Sequence, residues 1–306
     1  MDSHQGTALT PVEVADLLRI TRNTVYELIK RGELRGYRVG KKVRVDREEV
    51  EAYKQRDAGP ARPSPSALPE SAPRGNFVIA GQDLMLDVLV QQAERAYPGF
   101  QPLRSHLGSY NGLFALYQGQ IDAATAHLWD AETGAYNVPF VNRMLPGIPA
   151  VIIHLAQRPV GLYVRKGNPK GISDWKDFGR TDLVMANREL GSGMRVLIDQ
   201  KLRLLGLDTQ RIQGYGNAAS SHIAAATAVA RGDADLAVGN EKACSQVRGV
   251  EFLFLHNESL DMVIAARTLQ SPGMQRILSV LRSAEFRAEI ESLGGYDLTD
   301  IGQERG

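Results

Sequence analysis

Cysteine is nearly absent: the 306 residues contain one, Cys244. A lone cysteine excludes an internal disulfide framework and agrees with a reducing compartment, where it acts as a small buried filler. Long apolar runs are missing too. No window approaches the roughly 18 uninterrupted apolar residues of a membrane span, and the opening MDSHQGTALT lacks the basic-then-apolar order of a secretion signal. The sequence therefore predicts a cytoplasmic protein without membrane contact. Aromatics make up 7% of the chain, while the apolar fraction of 43% and charged fraction of 23% are ordinary for a globular protein and exclude disorder throughout. No G-x-S-x-G, P-loop or His/Cys metal spacing occurs, so no catalytic residue, metal site or cofactor is assigned.

Net charge is small overall, +1, but it is unevenly placed. Between Arg22 and Arg44 stand eight basic residues against two acids, a local charge of +6. Residues 57–74 hold five of the 14 prolines and one large aliphatic, Leu68. Such a stretch neither builds a helix nor buries a face, and it reads as a semi-rigid linker of about 3 Å per residue. The expected organisation is a small basic domain over 1–56, a linker over 57–75 and a larger domain over 76–306, the last divided again at about 160–258.

Thr10-Pro11-Val12-Glu13 has the form of a capping box with proline at the first helical position. Val14, Leu17 and Leu18 follow at helical spacing. Thr21 caps a second helix that turns Val25, Leu28 and Ile29 inward, and Gly32 ends it. Two short helices about a tight turn form a helix-turn-helix. Its second helix leaves Thr21, Arg22, Asn23, Thr24, Tyr26 and Lys30 outward, residue types that bond phosphates and base edges in a major groove. Tyr37 to Val45 then alternates around Gly40 as a basic hairpin, and Asp46 with Glu49 opens a last helix. The run from Leu9 to Tyr53 resembles the excisionase-type DNA-binding domain, a relative of the MerR winged helix. That resemblance implies double-stranded DNA as partner, contacted by the second helix and, in the wing, by Arg38, Lys41, Lys42 and Arg44. A single recognition helix reads few base pairs, so a homodimer or higher oligomer is expected.

Beyond the linker, short apolar runs alternate with amphipathic stretches, the pattern of an α/β fold with largely parallel sheets. LFALYQGQIDAATA at 113–126 and AATAVARGDADLAVG at 225–239 each read as a helix closing on Gly-x-x-Asp before a buried strand, which predicts two similar lobes. Residues 76–300 resemble the type 2 periplasmic-binding-protein fold, in the version fused to helix-turn-helix domains and to molybdopterin-biosynthesis proteins. AGQDLMLDVL, GSYNGLFAL, DAATAHLWDAETGAYN, ANRELGSGMR and GDADLAVG carry the resemblance. It implies two α/β lobes closing on a ligand, and a one-component transcriptional regulator.

In such sheets ligands lie beyond the strand carboxyl ends, where helix N-termini present free N–H groups. Gln82 and Asp83, Ser109 and Asn111, and Ser192 and Gly193 stand at three such openings. Arg188 to Met194 resembles the arginine-containing Ser-Gly loop of tungstate-binding transport proteins, which implies Arg188 on an oxyanion such as molybdate or tungstate. His127, Arg195 and Ser221 complete the candidates for a small anionic ligand. Asp83, His127 and Glu189 are groups a bare dianion does not require, so a larger or partly cationic ligand stands as the alternative. The rival from another class is an enzyme or a cytoplasmic small-molecule-binding protein. Gly214 to Ala219 fits a G-x-G-x-x-A dinucleotide fingerprint, but no buried strand precedes it.

Overall fold

Both turns of the N-terminal motif begin where threonine can cap them. The computed structural model describes residues 8–18, 20–30, 34–40, 42–50, 53 and 76–305, and it divides the chain into two compact units, Met1–Glu70 and Ser71–Gly306. In the first unit, β1 (Ala8–Leu9) leads into α1 (Pro11–Leu18). The Thr10 backbone N–H donates to Glu13 at 2.7 Å and the Glu13 N–H donates back to Thr10 Oγ1 at 3.3 Å, closing the capping box. These bonds from Thr10 hold the Glu13 carboxyl below its usual range. Thr21 Oγ1 accepts the N–H of Thr24 at the start of α2 (Arg22–Lys30). β2 (Tyr37–Val39) and β3 (Lys42–Asp46) form the hairpin about Gly40, whose φ is 64°, and residues 47–50 are helical. The three strands pair in the order β1-β3-β2, and Val14, Val25, Leu28, Leu34, Val45 and Val50 form the core. Gly32, Lys41 and the linker lie outside the described residues.

The second unit is a two-lobed α/β structure on one continuous sheet, whose strands follow the order Leu103–Ser105, Val78–Ala80, Ala123–Ala126, Val250–Ala265, Ala150–Arg165, Leu236–Asn240, Met185–Arg188 and Ala218–Ala219, with Glu304–Arg305 also pairing with Ala150–Arg165. In the first lobe, β4 (Val78–Ala80) pairs in parallel with both β5 (Leu103–Ser105) and β6 (Ala123–Ala126). α3 (Met85–Ala96) and α4 (Ser109–Tyr117) connect them. In the second lobe β8 (Met185–Arg188), β9 (Ala218–Ala219) and β10 (Leu236–Asn240) are parallel, connected by α6 (Gly193–Leu204) and α7 (His222–Arg231); α5 (Val138–Met144) lies between the two sets. The central strands β6, β8 and β10 are covered on both faces and bury every residue, whereas the edge strands β5 and β9 are partly exposed. Leu162 and Val164 face one core while Tyr163 faces another with Ala225, Val229 and Cys244.

The internal echo corresponds to one device used twice. Asp122 accepts the N–H of Val78 at 2.7 Å, and Asp235 accepts the N–H of Val184 at 2.9 Å. Each carboxylate ties the end of a helix–strand connection to the start of the neighbouring strand.

The expectation of a largely parallel sheet misses the two longest strands. β7 (Ala150–Arg165) and β11 (Val250–Ala265), 16 residues each, run antiparallel along their whole length and belong to both lobes. Their register shifts between Phe254 and His256 and again between Leu260 and Asp261. Such irregularities bend a strand pair, and here they fall where it passes from one lobe to the other. The segment before Gly214 is a 3-10 helix, Thr209–Arg211, so the strand that a dinucleotide fingerprint needs is replaced by a short turn of helix.

Candidate functional site

The cross-strand register places Arg158 of β7 directly opposite Glu258 of β11, at the waist between the lobes. Arg158 Nε donates to Glu258 at 2.5 Å, and its Nη1 forms an ion pair with Asp83 from the loop after β4. Both members of the strand pair are buried, Arg158 at 4% exposure and Glu258 at 1%. Burial alone pushes the Glu258 carboxyl up, but Arg158 and His127 outweigh it and hold the group down at about 2. Burial likewise opposes the charge on Arg158, and Glu258 and Asp83 keep it well above its usual value.

Beside Arg158 lies a small cavity of about 20 Å³. A single water needs about 10–15 Å³ measured in the same way, so in this arrangement the space has room for about one water-sized group. Helix N-termini converge on it: Ser109 begins α4, Gly193 begins α6 and His222 begins α7, and all three line the cavity. Each such terminus carries a partial positive charge of about half a unit. The approach is tight. A Cβ on Gly193 would come within 2.8 Å of Ser109 Oγ and of His127 Cε1, so any side chain there would have to displace one of them.

Arg188 ends β8 at 1% exposure. Its Nε donates to Glu189 and to the Ala219 carbonyl, while its Nη2 donates to Glu189 at 2.8 Å and, across the cleft, to Gln82 at 2.9 Å. Gln82 returns a bond to Glu189 at 3.3 Å. The carbonyl of Gly191, from the second lobe, accepts the N–H groups of Tyr110 and Asn111 at 3.0 and 3.4 Å on the first turn of α4. The lobes are thus latched by the chain's own groups on both sides of the cavity.

Of the residues expected to bind a ligand, Gln82, Asp83, Ser109 and His127 from the first lobe and Arg188, Ser192 and Gly193 from the second line this cavity. Asn111, Arg195 and Ser221 do not. Arg195 binds Asp199 one turn along α6 and the Arg188 carbonyl, with its guanidinium 4.4 Å from the Tyr215 ring centre. Ser221 caps α7 by accepting the Ala224 N–H, and Asn111 reaches the Leu190 carbonyl at 3.4 Å. Residues that sequence reasoning passed over are Arg158, Glu258 and His222. His127 binds Glu258 through Nδ1 at 2.9 Å, and its ring lies 6.5 Å from that of His222.

In the first unit Thr21 before α2, Arg22, Thr24 and Tyr26 of α2 and Lys42 of the hairpin are exposed; Arg44 is half-buried. Arg22 stacks on Tyr26 at 5.6 Å. The side chains of Asn23, Lys30 and Arg38 lie outside the described residues. Among the described residues no group of three or more His, Cys, Asp or Glu is placed to hold a metal ion, and no helix is long and apolar enough to cross a membrane.

Residues 90–282 match the PBP superfamily domain, and residues 8–58 match a helix-turn-helix domain. The chain belongs to the PBP superfamily. It is 41% identical over 300 residues to the uncharacterized protein YvgK of Bacillus subtilis (strain 168), covering 96% of each chain. Among solved structures, this PBP-superfamily chain is similar to a putative phosphate ABC transporter substrate-binding protein with bound phosphate from Clostridium perfringens. The identity is 15%, the TM-score 0.53, and the match covers 74% of this chain and 99% of that one. It is also similar to an H2O2-bound cysteine mutant of OxyR from Corynebacterium glutamicum, at 15% identity and TM-score 0.53, covering 93% of this chain and 89% of that one. At these identities the likeness concerns the fold.

Proposed function

We propose that the chain is a one-component transcriptional regulator that acts in the cytoplasm. Its helix-turn-helix domain, residues 1–56, binds double-stranded DNA through α2 and the basic hairpin. The domain at 76–306, across the linker at 57–75, senses a small oxyanion in its cleft. The carrying observation is the convergence of three helix N-termini and the buried Arg188 on one small cavity, in a chain that also carries a helix-turn-helix domain. Fixed N–H dipoles together with Arg188 suit a small anion. Molybdate, tungstate and molybdenum-cofactor-related molecules are the candidates carried by the likeness of the Arg188–Met194 loop to tungstate-binding proteins. The regulator works as at least a dimer, because one recognition helix reads too few base pairs for specificity. A ligand shifts DNA affinity only by binding one arrangement of the lobes better than another.

A melting-temperature screen of the full chain with molybdate, tungstate, phosphate, sulfate and cofactor precursors tests the sensing role. A ligand at 100 times its Kd stabilises the folded form by about 2.7 kcal/mol. No shift with any of them removes the role. For the DNA-binding role, removal of residues 1–56 abolishes binding to fragments selected by the full chain, and retained binding contradicts it.

A further inference from the structure

We propose that the exposed side of α4, centred on Phe114, is the surface through which two copies of this chain pair, with the two helices packed antiparallel about a two-fold axis. The choice of a second copy as partner rests on the dimeric regulator proposed above.

The first observation is the pattern of the helix. Leu113, Ala115 and Leu116 of α4 are buried with Ala124 and Ala126 of β6. The positions left exposed are Tyr110, Asn111, Phe114 and Tyr117. Three of them are aromatic at spacings i, i+4 and i+7, which share one side of a helix. Their exposures are 43%, 51% and 38%. A surface helix ordinarily turns charged and polar residues to that side. The other helix of the lobe differs: α3 has its apolar row covered by the helices Pro272–Leu281 and Ala284–Leu293. The aromatics of α4 stay open.

The second observation is the absence of charge. From Ser105 to Ile121 the chain has no Asp, Glu, Lys or Arg. Gln118 and Gln120 continue the exposed side past Tyr117, and Arg267 brings charge at its edge, beside Gly119. An aromatic centre depleted of charge inside a polar rim is the composition of an interface core.

Area agrees with that role. At about 150–250 Å² for a whole aromatic side chain, the three leave roughly 200–330 Å² open. A stable interface buries about 800 Å² on each partner, so they form its centre. Asn111, Gln118, Gln120 and the exposed Leu190 flank them; the Leu190 carbonyl accepts from the Asn111 side chain at 3.4 Å.

Neutrality selects the occupant. A face without charge has nothing to pair with an acidic or a basic protein, and it lacks the basic residues by which a helix lies on an anionic membrane. The basic hairpin of the first unit would find no carboxylate there. A second copy presents the same neutral face, so apolar meets apolar and no like charges are opposed across the axis. In the antiparallel pair Phe114 meets the partner's Phe114, and Tyr110 meets the partner's Tyr117.

Sedimentation velocity of the full chain at micromolar concentration decides the matter. Wild type is expected to be a dimer. Phe114→Glu and Phe114→Lys each set like charges against one another at the axis and should raise the dimer Kd about 30-fold or more, the scale of a central interface residue. An equimolar mixture of the two variants should regain the dimer, because opposite charges then meet. Phe254→Glu, at an exposed aromatic of β11, should leave the dimer unchanged. If the charged variants do not fold, Phe114→Cys carries the test: mild oxidation should link it into a dimer, whereas Phe254→Cys should stay unlinked, the natural Cys244 being buried. A wild-type dimer that survives Phe114→Glu, charged variants that stay apart when mixed, or a Phe114→Cys chain that does not cross-link overturns the proposal and leaves the regulator reading intact. A wild-type chain that is monomeric with and without DNA overturns both.

Discussion

Arginine serves two purposes in this chain, and the environments of Arg22 and Arg158 separate them. Arg22 stands exposed on α2 beside Tyr26, within a stretch of like charge, so its field reaches into solvent and is screened by salt. Arg158 is enclosed between Asp83 and Glu258, where its charge is balanced within hydrogen-bonding distance and salt has little access. The first arrangement attracts a polyanion of any sequence. The second holds a small site in fixed geometry and adds almost nothing to long-range attraction.

The contrast breaks most visibly if a buried charge is left alone. Arg158→Met leaves Glu258 and Asp83 uncompensated, and loss of one partner of a buried pair typically costs about 3–5 kcal/mol. Urea unfolding of the second unit's transition should show that loss, and Arg158→Met with Glu258→Gln should recover part of it. A change below about 1 kcal/mol in the single variant would mean the pair is solvated.

Acid should act on the same cluster. Glu258 has its carboxyl lowered from 4.5 to about 2, so the stability it contributes is complete above pH 4.5 and disappears as pH falls towards 2. That difference corresponds to about 3 kcal/mol. His222 is held neutral in the folded chain, so the unfolded chain takes its proton first and a further loss begins just below pH 6.5. Glu258→Gln should flatten the lower part of a stability–pH curve, whereas an unchanged curve would contradict the assignment.

Exposed charges should respond to salt instead. If Arg22 and Lys42 each contact a phosphate, replacing either by alanine should reduce the log–log salt slope of DNA binding by about 0.9 and leave the fold intact. A slope unchanged in both variants would exclude α2 and the hairpin from the contact surface. The smallest effect is expected at Ser221→Ala. Loss of this cap should cost about 1 kcal/mol of stability with no change in anion affinity, since Ser221 accepts from Ala224 and lies outside the cavity lining.

Legibility follows the same division. The helix-turn-helix rests on signals only a few residues apart, such as Thr10 with Glu13 and Thr21 with Thr24, and these are visible in one dimension. Gly119 with Asp122 and Gly232 with Asp235 revealed the paired lobes for the same reason. The loop residues Gln82, Ser109, Arg188 and Ser192 were legible as helix openings that could face a ligand. Asn111, Arg195 and Ser221 share that local pattern, but Arg195 and Ser221 bond within their own helix and Asn111 reaches the Leu190 carbonyl, all outside the cavity lining. Arg158 and Glu258 were not legible, because two long antiparallel strands bring together positions 100 residues apart, and neither strand has a periodicity that marks its polar residue as central.

Titration calorimetry of the full chain with molybdate, tungstate, phosphate and sulfate, on wild type, Arg188→Ala and Arg195→Ala, bears most directly on the claim that the cleft is an anion sensor. Loss of a charge-assisted contact costs about 2–5 kcal/mol, or roughly 30-fold to several-thousand-fold in Kd. The account predicts one oxyanion per chain in wild type, that loss in Arg188→Ala, and a change under about threefold in Arg195→Ala. Absence of binding by every oxyanion, or equal affinity in wild type and Arg188→Ala, would contradict it.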